Sequence, residues 1–312
     1  MFKIAACTAD APLYARSVNV RQELAWGQLH GRIAVRVDHV IMLSRNAMCA
    51  LARQGLLACV MVCALFAPVA EAGTTTIVSG VLQFTATAGE TNAVTVTSGA
   101  GNYTVTDTGA ANTASTGCTQ ATTNSVTCPM ASVTVTGGSC GVTPSMTFSL
   151  GDNNDSFNGG SITLPLQITG GAGSDILTGG SGDDTFAEEA ATNGSDSFDG
   201  GAGTLDCVNY GSRTAVVTIN DDGLANDGLS GESDNVGTSV EYYKGGSGND
   251  TFTAGPGADK YDGGAGTDIV NYTSRTTNLT ITIDGTANDG DSGENDDVMT
   301  TIENVYTGSG ND

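Results

Sequence analysis

The chain contains no histidine after Gly73, because both of its histidines, His30 and His39, precede that residue. Without an imidazole base, this part of the chain lacks Ser-His-Asp and Cys-His catalysis and any HExxH zinc site. Residues 137–141 (GGSCG) match G-x-S-x-G, but no partner base accompanies the match. We therefore expect the residues beyond Gly73 not to form an enzyme.

Basic residues are also scarce in this part of the chain. Only four of the 11 lysines and arginines follow Ala72, whereas 30 of the 34 acidic residues do. So many negative charges repel one another unless counter-ions bind, and they make nucleic acid and anionic membranes poor partners. Divalent cations are the partners that this charge favours.

Aromatic residues make up only 5% of the chain, whereas glycine occurs 44 times. This composition does not suit a thick globular core, but it suits a solenoid, in which each turn buries a few side chains against its neighbours. A disordered chain is the alternative reading of the same composition. The glycines, however, recur in register with Asp and an apolar residue, which favours the solenoid.

The register is clearest in residues 170–187, where two nonapeptides, GGAGSDILT and GGSGDDTFA, lie end to end. Glycine adopts positive φ without steric cost, so the first six residues of each can form a tight turn with inward carbonyl groups. The Asp adds a carboxylate, and Leu177 or Phe186 supplies one large apolar side chain. Oxygen ligands without imidazole or thiolate suit a hard cation, above all calcium.

Further copies of the nonapeptide lie on both sides of this pair. Residues 245–271 form an uninterrupted triplet, GGSGNDTFT, AGPGADKYD and GGAGTDIVN. Degenerate copies lie at 151–157 and at 191–199, the second after a three-residue insertion at 188–190. The next copy has one extra residue before Asp206, so its Asp is displaced.

These nonapeptides resemble the calcium-binding repeat of the repeats-in-toxin (RTX) family. The resemblance implies a right-handed parallel β-roll with two nonapeptides per turn. It also implies calcium between stacked turns, held by Asp carboxylates and backbone carbonyls. The matching acidic residues are Asp175, Asp184, Asp250, Asp259 and Asp268, with weaker matches at Asp155 and Asp196 and a terminal match at Asp312. The matching turn glycines are Gly171, Gly173, Gly180, Gly182, Gly246, Gly248, Gly255, Gly257, Gly264 and Gly266.

In this family each copy stacks on the next copy but one. The best-formed calcium site is therefore expected between 245–253 and 263–271, where Asp250 pairs with Asp268. The insertion and the extra residue are expected to disrupt two other pairings, Asp175 with Asp196 and Asp184 with Asp206.

A repeat of 62 residues is superimposed on the nonapeptides. It relates Arg213 to Arg275, Asp227 to Asp289, Glu232 to Glu294, Val236 to Val298 and Asp250 to Asp312. The equivalent positions of the two arginines favour a structural role for them. Each unit also contains an acidic loop, at 221–235 or 284–297. These loops are interpreted as solvated, with extra calcium sites as the alternative.

Four segments follow from composition. Residues 42–72 have the features of an export signal, with arginines before an apolar run and a cleavage site at Ala70-Glu71-Ala72. The run is shorter than the about 20 residues that span a membrane, so no span is expected in the mature chain, with a signal anchor as the alternative.

Residues 1–41 are interpreted as a mis-called start. Thr- and Val-rich strands at 73–150 are expected to lead into repeats at 151–312, which break off in mid-repeat as if truncated.

The expected fold is thus all-β, a right-handed parallel β-helix that leads into a calcium-loaded β-roll. The expected location is extracellular or at the cell surface, with calcium ions and a cell-surface or polysaccharide partner. An exported chain favours disulfides, first Cys118–Cys128, with Cys140–Cys207 lacking geometric support. The alternative function is a calcium-dependent β-helical polysaccharide lyase or epimerase. Its reaction needs a basic residue beside the calcium ion, and the candidates are Arg213, Lys244, Lys260 and Arg275.

Overall fold

The computed structural model describes residues 72–137, 140–141 and 143–312. These residues all belong to one compact unit, Ala70–Asp312. The expected export signal at 42–72, apart from Ala72, and the segment 1–41 lie outside the described residues. Among the described residues, no helix has the length and apolar character needed to cross a bilayer.

Nearly all regular structure in the described residues is β, with a single 3₁₀ turn at Met130–Ser132. The strands are β1 (Gly73–Val78), β2 (Val81–Thr85), β3 (Ala93–Gly99), β4 (Asn102–Asp107), β5 (Asn112–Ala114), β6 (Thr119–Thr122), β7 (Ser125–Pro129), β8 (Met146–Ser149), β9 (Ser156–Asn158), β10 (Leu166–Thr169), β11 (Ile176–Thr178), β12 (Thr185–Ala187), β13 (Ser197–Asp199), β14 (Cys207–Asn209), β15 (Val217–Asn220), β16 (Gly228–Leu229), β17 (Asn235–Val236), β18 (Tyr242–Lys244), β19 (Thr251–Thr253), β20 (Lys260–Asp262), β21 (Ile269–Asn271), β22 (Asp297–Val298) and β23 (Asn304–Tyr306).

The strands form three sheets. The largest runs β22-β20-β18-β14-β12-β10-β8-β2-β1-β5, the second runs β17-β13-β11-β9-β3-β4-β7-β6, and the third runs β16-β15-β19-β21-β23. From β8 to β14, successive strands alternate between the first two sheets, so each strand pairs in parallel with the strand next but one. The all-β expectation is confirmed, and the parallel strands are consistent with a β-roll.

Neighbouring parallel strands place their apolar residues side by side. Leu177 of β11 lies beside Phe157 of β9 on one side and Phe198 of β13 on the other. Likewise, Phe186 of β12 lies between Ile168 of β10 and Val208 of β14. Each of these strands thus directs at least one apolar side chain to the interior, where it is buried. The thin core that the composition predicts is built from these positions.

Residues 73–150 differ from the parallel lead-in expected from the sequence, because several of their strands form antiparallel hairpins. β1 pairs with β2, and β3 pairs with β4, through two-residue turns. The turn residues Ser79-Gly80 and Ala100-Gly101 all have positive φ. Two consecutive residues with positive φ match the twist of a tight hairpin, which returns the chain antiparallel. β2 and β3 nevertheless join the parallel strands, through β8 and β9.

Two disulfides lie within the described residues, one inside residues 73–150 and one that connects them to the repeats. Cys118–Cys128, the pairing favoured by the sequence, is confirmed, with a Cα–Cα distance of 4.3 Å. Cys140 also pairs with Cys207, at a Cα–Cα distance of 5.7 Å. The fold supplies the proximity that the sequence did not show, because it brings Cys207, the first residue of β14, next to Cys140.

Candidate metal centres

The Gly-rich turns stack directly on one another at the ends of the short strands. In the turn at 170–175, the Ala172 N–H donates to the Gly151 carbonyl at 2.9 Å, and the Gly173 N–H donates to the Asn193 carbonyl at 2.6 Å. Gly173 has a φ of +145°, and an added Cβ there would overlap with the Asn153 carbonyl oxygen of the turn below. Only glycine allows this approach, so the repeat needs glycine for stacking as well as for turning.

The other predicted glycines lie at similar close approaches, with one exception. Gly264 and Gly266 lie against the carbonyls of Gly246 and Gly248 in the turn below. An added Cβ would also overlap with atoms of other segments at Gly171, Gly180, Gly182, Gly246, Gly248 and Gly255. At Gly257, in contrast, the nearest atom to an added Cβ belongs to Asp259, two residues away.

In four pairs of stacked turns, the Asp at the sixth position connects its turn to the preceding one. One of its carboxylate oxygens accepts a hydrogen bond from the backbone N–H of the Asp in the preceding turn. The donor and acceptor residues are Asp155 and Asp175 (2.8 Å), Asp175 and Asp196 (2.8 Å), Asp184 and Asp206 (2.7 Å), and Asp250 and Asp268 (2.7 Å). These bonds leave the second carboxylate oxygen of each Asp for another partner.

In five of these Asp residues the second oxygen is buried and accepts no hydrogen bond. The five are Asp155, Asp175, Asp196, Asp206 and Asp268. In Asp184 and Asp250 that oxygen accepts the N–H of Gly180 (2.5 Å) or Gly246 (2.8 Å). A buried carboxylate oxygen without a partner is costly, and a cation placed between the turns would supply one.

The electrostatics of the turns are those of carboxylates without a counter-ion. Burial raises the pKa of Asp155 and Asp184 to about 7, against the lowering effect of backbone N–H donors. Burial likewise raises the pKa of Asp196 and Asp206 to about 8, and carboxylates of adjacent turns add to the shift. Near neutral pH these turns therefore retain protons, which a divalent cation would displace.

The stacking predicted for the triplet is confirmed. β19 and β21 pair in parallel with Thr251 beside Ile269, which places Asp250 next to Asp268.

The expected disruption of the two other pairings is wrong. β11 pairs with β13 despite the insertion, and β12 pairs with β14 despite the extra residue. In each case the added residues lie in the connection before the Asp, so the Asp and the strand after it keep their register. Asp206 therefore belongs with the candidate metal residues, and the buried Val208 two residues later is the signal that identifies it.

Asp259 is a predicted residue that the structure does not bring beside another nonapeptide Asp. Its backbone N–H donates to Asp296 of the second acidic loop at 3.0 Å. Its carboxylate accepts the Tyr261 hydroxyl at 3.3 Å and faces Asp221. Burial and the Asp221 charge raise the pKa of Asp259 to about 8.

The interpretation of the two acidic loops as solvated is wrong for their central carboxylates. Asp227 is buried and accepts the N–H groups of Asn220 (2.6 Å) and Val236 (2.8 Å). Asp234 accepts the Tyr210 hydroxyl at 2.8 Å. The second unit repeats the pattern with Asp289 between Thr282 and Val298, and with Asp296 bound by Tyr272. Asp234 and Asp296 also accept the N–H groups of Asp196 and Asp259. Each of the four carboxylates thus has a protein donor on both oxygens, so they brace the loops.

Within the part of the chain that the structure describes, no three side chains of His, Cys, Asp or Glu come together as a metal cluster. The stacked turns offer a different donor set, in which at most two Asp carboxylates join the inward carbonyls of the glycines. Carboxylate and carbonyl oxygens are the ligands that calcium takes in proteins. The unpartnered oxygens and the close carbonyls therefore fit a calcium ion.

A comparison with known families agrees with this chemistry. A model of the RTX calcium-binding nonapeptide repeat matches residues 167–187 and 237–270, in four copies. The chain carries RTX repeats. Repeats of this kind bind Ca²⁺, and the matched segments include both strict nonapeptides and most of the triplet. No curated protein and no solved structure matches the chain.

Proposed function

We propose that this chain is an exported calcium-binding protein, in which calcium at the Gly-rich turns folds and rigidifies a β-solenoid. The observation that carries the proposal is the row of buried Asp oxygens without partners at the stacked turns. The strand register supports the solenoid, because parallel neighbours such as β10 and β12, or β19 and β21, are 18 residues, or two nonapeptides, apart in the sequence.

Three stacks of turns are the proposed binding places. They contain Asp155, Asp175 and Asp196 in the first, Asp184 and Asp206 in the second, and Asp250 and Asp268 in the third. Calcium between two turns of a stack would take the free Asp oxygens and glycine carbonyls from both. Because such a site needs two turns already stacked, binding free energy becomes folding free energy.

Export is supported by two further features. The segment 42–72 has the pattern of a cleavable signal. Cys118–Cys128 and Cys140–Cys207 form disulfides, which persist in oxidising compartments outside the cytosol. Millimolar calcium is usual outside cells, and extracellular calcium modules have dissociation constants of about 10⁻⁴–10⁻³ M. We propose a surface or extracellular structural role for the rigidified module, with adhesion to a cell-surface or polysaccharide partner.

The lyase or epimerase alternative requires a basic side chain that is free to contact a uronate beside calcium. Arg213 is fully buried between Glu188 and Glu232. Lys244, Lys260 and Arg275 each pair with a carboxylate. These pairings weigh against catalysis. Incubation of the mature chain with alginate or pectin and calcium, followed by ultraviolet absorbance, tests the alternative, since lyase products absorb there.

The binding proposal is tested by circular dichroism and calorimetry on the mature chain. We expect part of the β structure to be lost in chelator and regained with calcium, because the buried Asp oxygens have no partner without the metal. Asp175→Asn should lower the calcium stoichiometry. Asp222→Asn, which removes an exposed charge outside the stacked turns, is the matched control and should leave it unchanged. A β spectrum indifferent to chelator, with no heat of calcium binding, would refute the proposal.

A further inference from the structure

Two turns in the described residues stack on an acidic loop instead of on another Gly-rich turn. The turn at 191–196 meets the loop at 228–234, where the Asp196 N–H donates to Asp234 at 2.9 Å. The turn at 254–259 meets the loop at 290–296 in the equivalent way, through Asp259 and Asp296. These are the two places where the 62-residue repeat inserts its acidic loop into the stacks.

A guanidinium group fills the first of these places. Arg213 donates to the Ala191 carbonyl and to Asn193 Oδ1 (2.9 Å), both in the turn. It forms ion pairs with Glu232 of the loop (3.0 Å) and with Glu188 of the insertion (2.7 Å). The Arg213 side chain has no exposed surface, and each of the two glutamates is 2% exposed.

The second turn-to-loop contact also contains a guanidinium group. Arg275, which is 62 residues after Arg213, donates to the Gly255 carbonyl of the turn. It pairs with Glu294 (2.6 Å) and Asp291 (3.0 Å) of the loop. The arrangement is thus present in both units, although the turns differ in sequence.

The oxygen atoms around each guanidinium are of the types that bind calcium, namely two carboxylates, a backbone carbonyl and, at Arg213, an amide oxygen. A guanidinium stays charged at every accessible pH and donates to several such oxygens at once. The other two basic residues after Ala72, Lys244 and Lys260, pair with Asp262 and Asp297 outside the stacked turns. Among the described residues, the turn-on-turn contacts therefore contain no basic side chain and keep unpartnered Asp oxygens.

From these contacts we propose that Arg213 and Arg275 replace a calcium ion at the two turn-to-loop contacts. The inference rests on the proposed function, in which the turn-to-turn contacts bind calcium. Calcium then occupies only contacts between two Gly-rich turns, while the turn-to-loop contacts are closed by a cation that belongs to the chain. The same contact explains the insertion at 188–190, because the insertion brings Glu188 to the buried guanidinium.

The test compares Arg213→Met with the wild type, both as the full mature chain. Calcium stoichiometry is measured by calorimetry, and thermal unfolding is measured in chelator and in saturating calcium. Arg213→Met removes the cation and leaves the surrounding oxygens, so we expect one additional calcium ion per chain. We also expect a larger drop of the melting temperature in chelator than in calcium. Lys244→Met is the control for loss of a basic residue, and it should change neither quantity.

Arg275→Met provides a second, less buried site, in case Arg213→Met fails to fold even with calcium. The triple variant Arg213→Met/Glu188→Gln/Glu232→Gln removes the carboxylates as well, and it should lose the additional calcium ion. Unchanged stoichiometry in both arginine variants, with equal destabilisation in chelator and in calcium, would overturn the inference and leave the proposed function intact. A wild type that binds no calcium would overturn both.

Discussion

The raised pKa values of the turn carboxylates make the metal-free protein sensitive to pH in a direction opposite to that of most proteins. Asp206 is buried, and its pKa rises from the ordinary value of 3.8 to about 8. A carboxyl whose pKa is higher in the folded than in the unfolded chain binds its proton more tightly when folded. Its stabilising effect is complete below pH 3.8 and is lost as the pH rises towards 8.

The size of the effect follows from the shift. At pH 7, about three units above the pKa of 3.8, Asp206 is ionised in the unfolded chain but still protonated in the folded chain. This difference lowers the free energy of unfolding at pH 7 by about 4 kcal/mol relative to its value at low pH. Asp196, with a pKa of about 8, adds a loss of the same sign. Typical domains have a free energy of unfolding of about 5–15 kcal/mol, so the loss caused by these two groups is a large fraction of that stability.

Calcium reverses this dependence, because it binds the ionised carboxylates. A metal at one hundred times its dissociation constant stabilises the folded state by about 2.7 kcal/mol per site. We therefore expect calcium to add little near pH 5, where protons compete for the oxygens, and most near pH 8. Calcium binding at pH 7 should also release protons.

Urea unfolding followed by circular dichroism, at pH 5, 6, 7 and 8 with and without calcium, measures these free energies. Calorimetry at pH 7 in two buffers that differ in ionisation enthalpy measures the protons released. Asp206→Asn should flatten the metal-free profile, and Asp222→Asn should not. A metal-free protein that becomes more stable from pH 5 to pH 8 would refute the reasoning.

The positions of the nonapeptide Asp residues and the pairing of Asp250 with Asp268 were predictable from the sequence. Both follow from a fixed nine-residue period, since a period states which residues recur at the same point of each turn. The buried apolar residue two positions after each Asp belongs to the same signal. Its recurrence at Phe252 and Val270 sets the strand register independently of the metal.

The tolerance of the stacks to added residues was not predictable from spacing alone. A count of residues predicts that Asp206 is out of register and that Asp196 does not stack on Asp175. In the structure, the connection before each of these Asp residues accommodates the added residues. What keeps the register is local, namely the bond from one Asp N–H to the next carboxylate and the apolar residue behind it. The position of an Asp relative to the following Val or Phe is therefore a better guide than its distance from the previous copy.

The environment of the acidic loops was not predictable either, because their partners come from other parts of the chain. Asp234 is held by Tyr210 and by the Asp196 N–H, which lie 24 and 38 residues away in sequence. Composition predicts a solvated loop wherever acidic residues and glycine alternate. The 62-residue repeat carried the missing signal, since Tyr272 recurs with Asp296 just as Tyr210 does with Asp234.

Two further predictions follow from the close stacking of the turns. Gly173→Ala should lower the free energy of unfolding of the calcium-loaded protein by about 1–3 kcal/mol, because alanine is strained at that φ and its Cβ would overlap with the turn below. Gly99→Ala, where an added Cβ meets open space, is the control for urea unfolding, and equal losses in both variants would contradict the stacking argument. Asp206→Asn and Asp268→Asn should each lower the calcium stoichiometry measured by calorimetry by a similar amount, because each carboxylate has one oxygen bonded to a preceding turn and one without a partner. A loss confined to Asp268→Asn would mean that the extra residue before Asp206 does disable its site, and that the stacked geometry at β12 and β14 is insufficient to bind the metal.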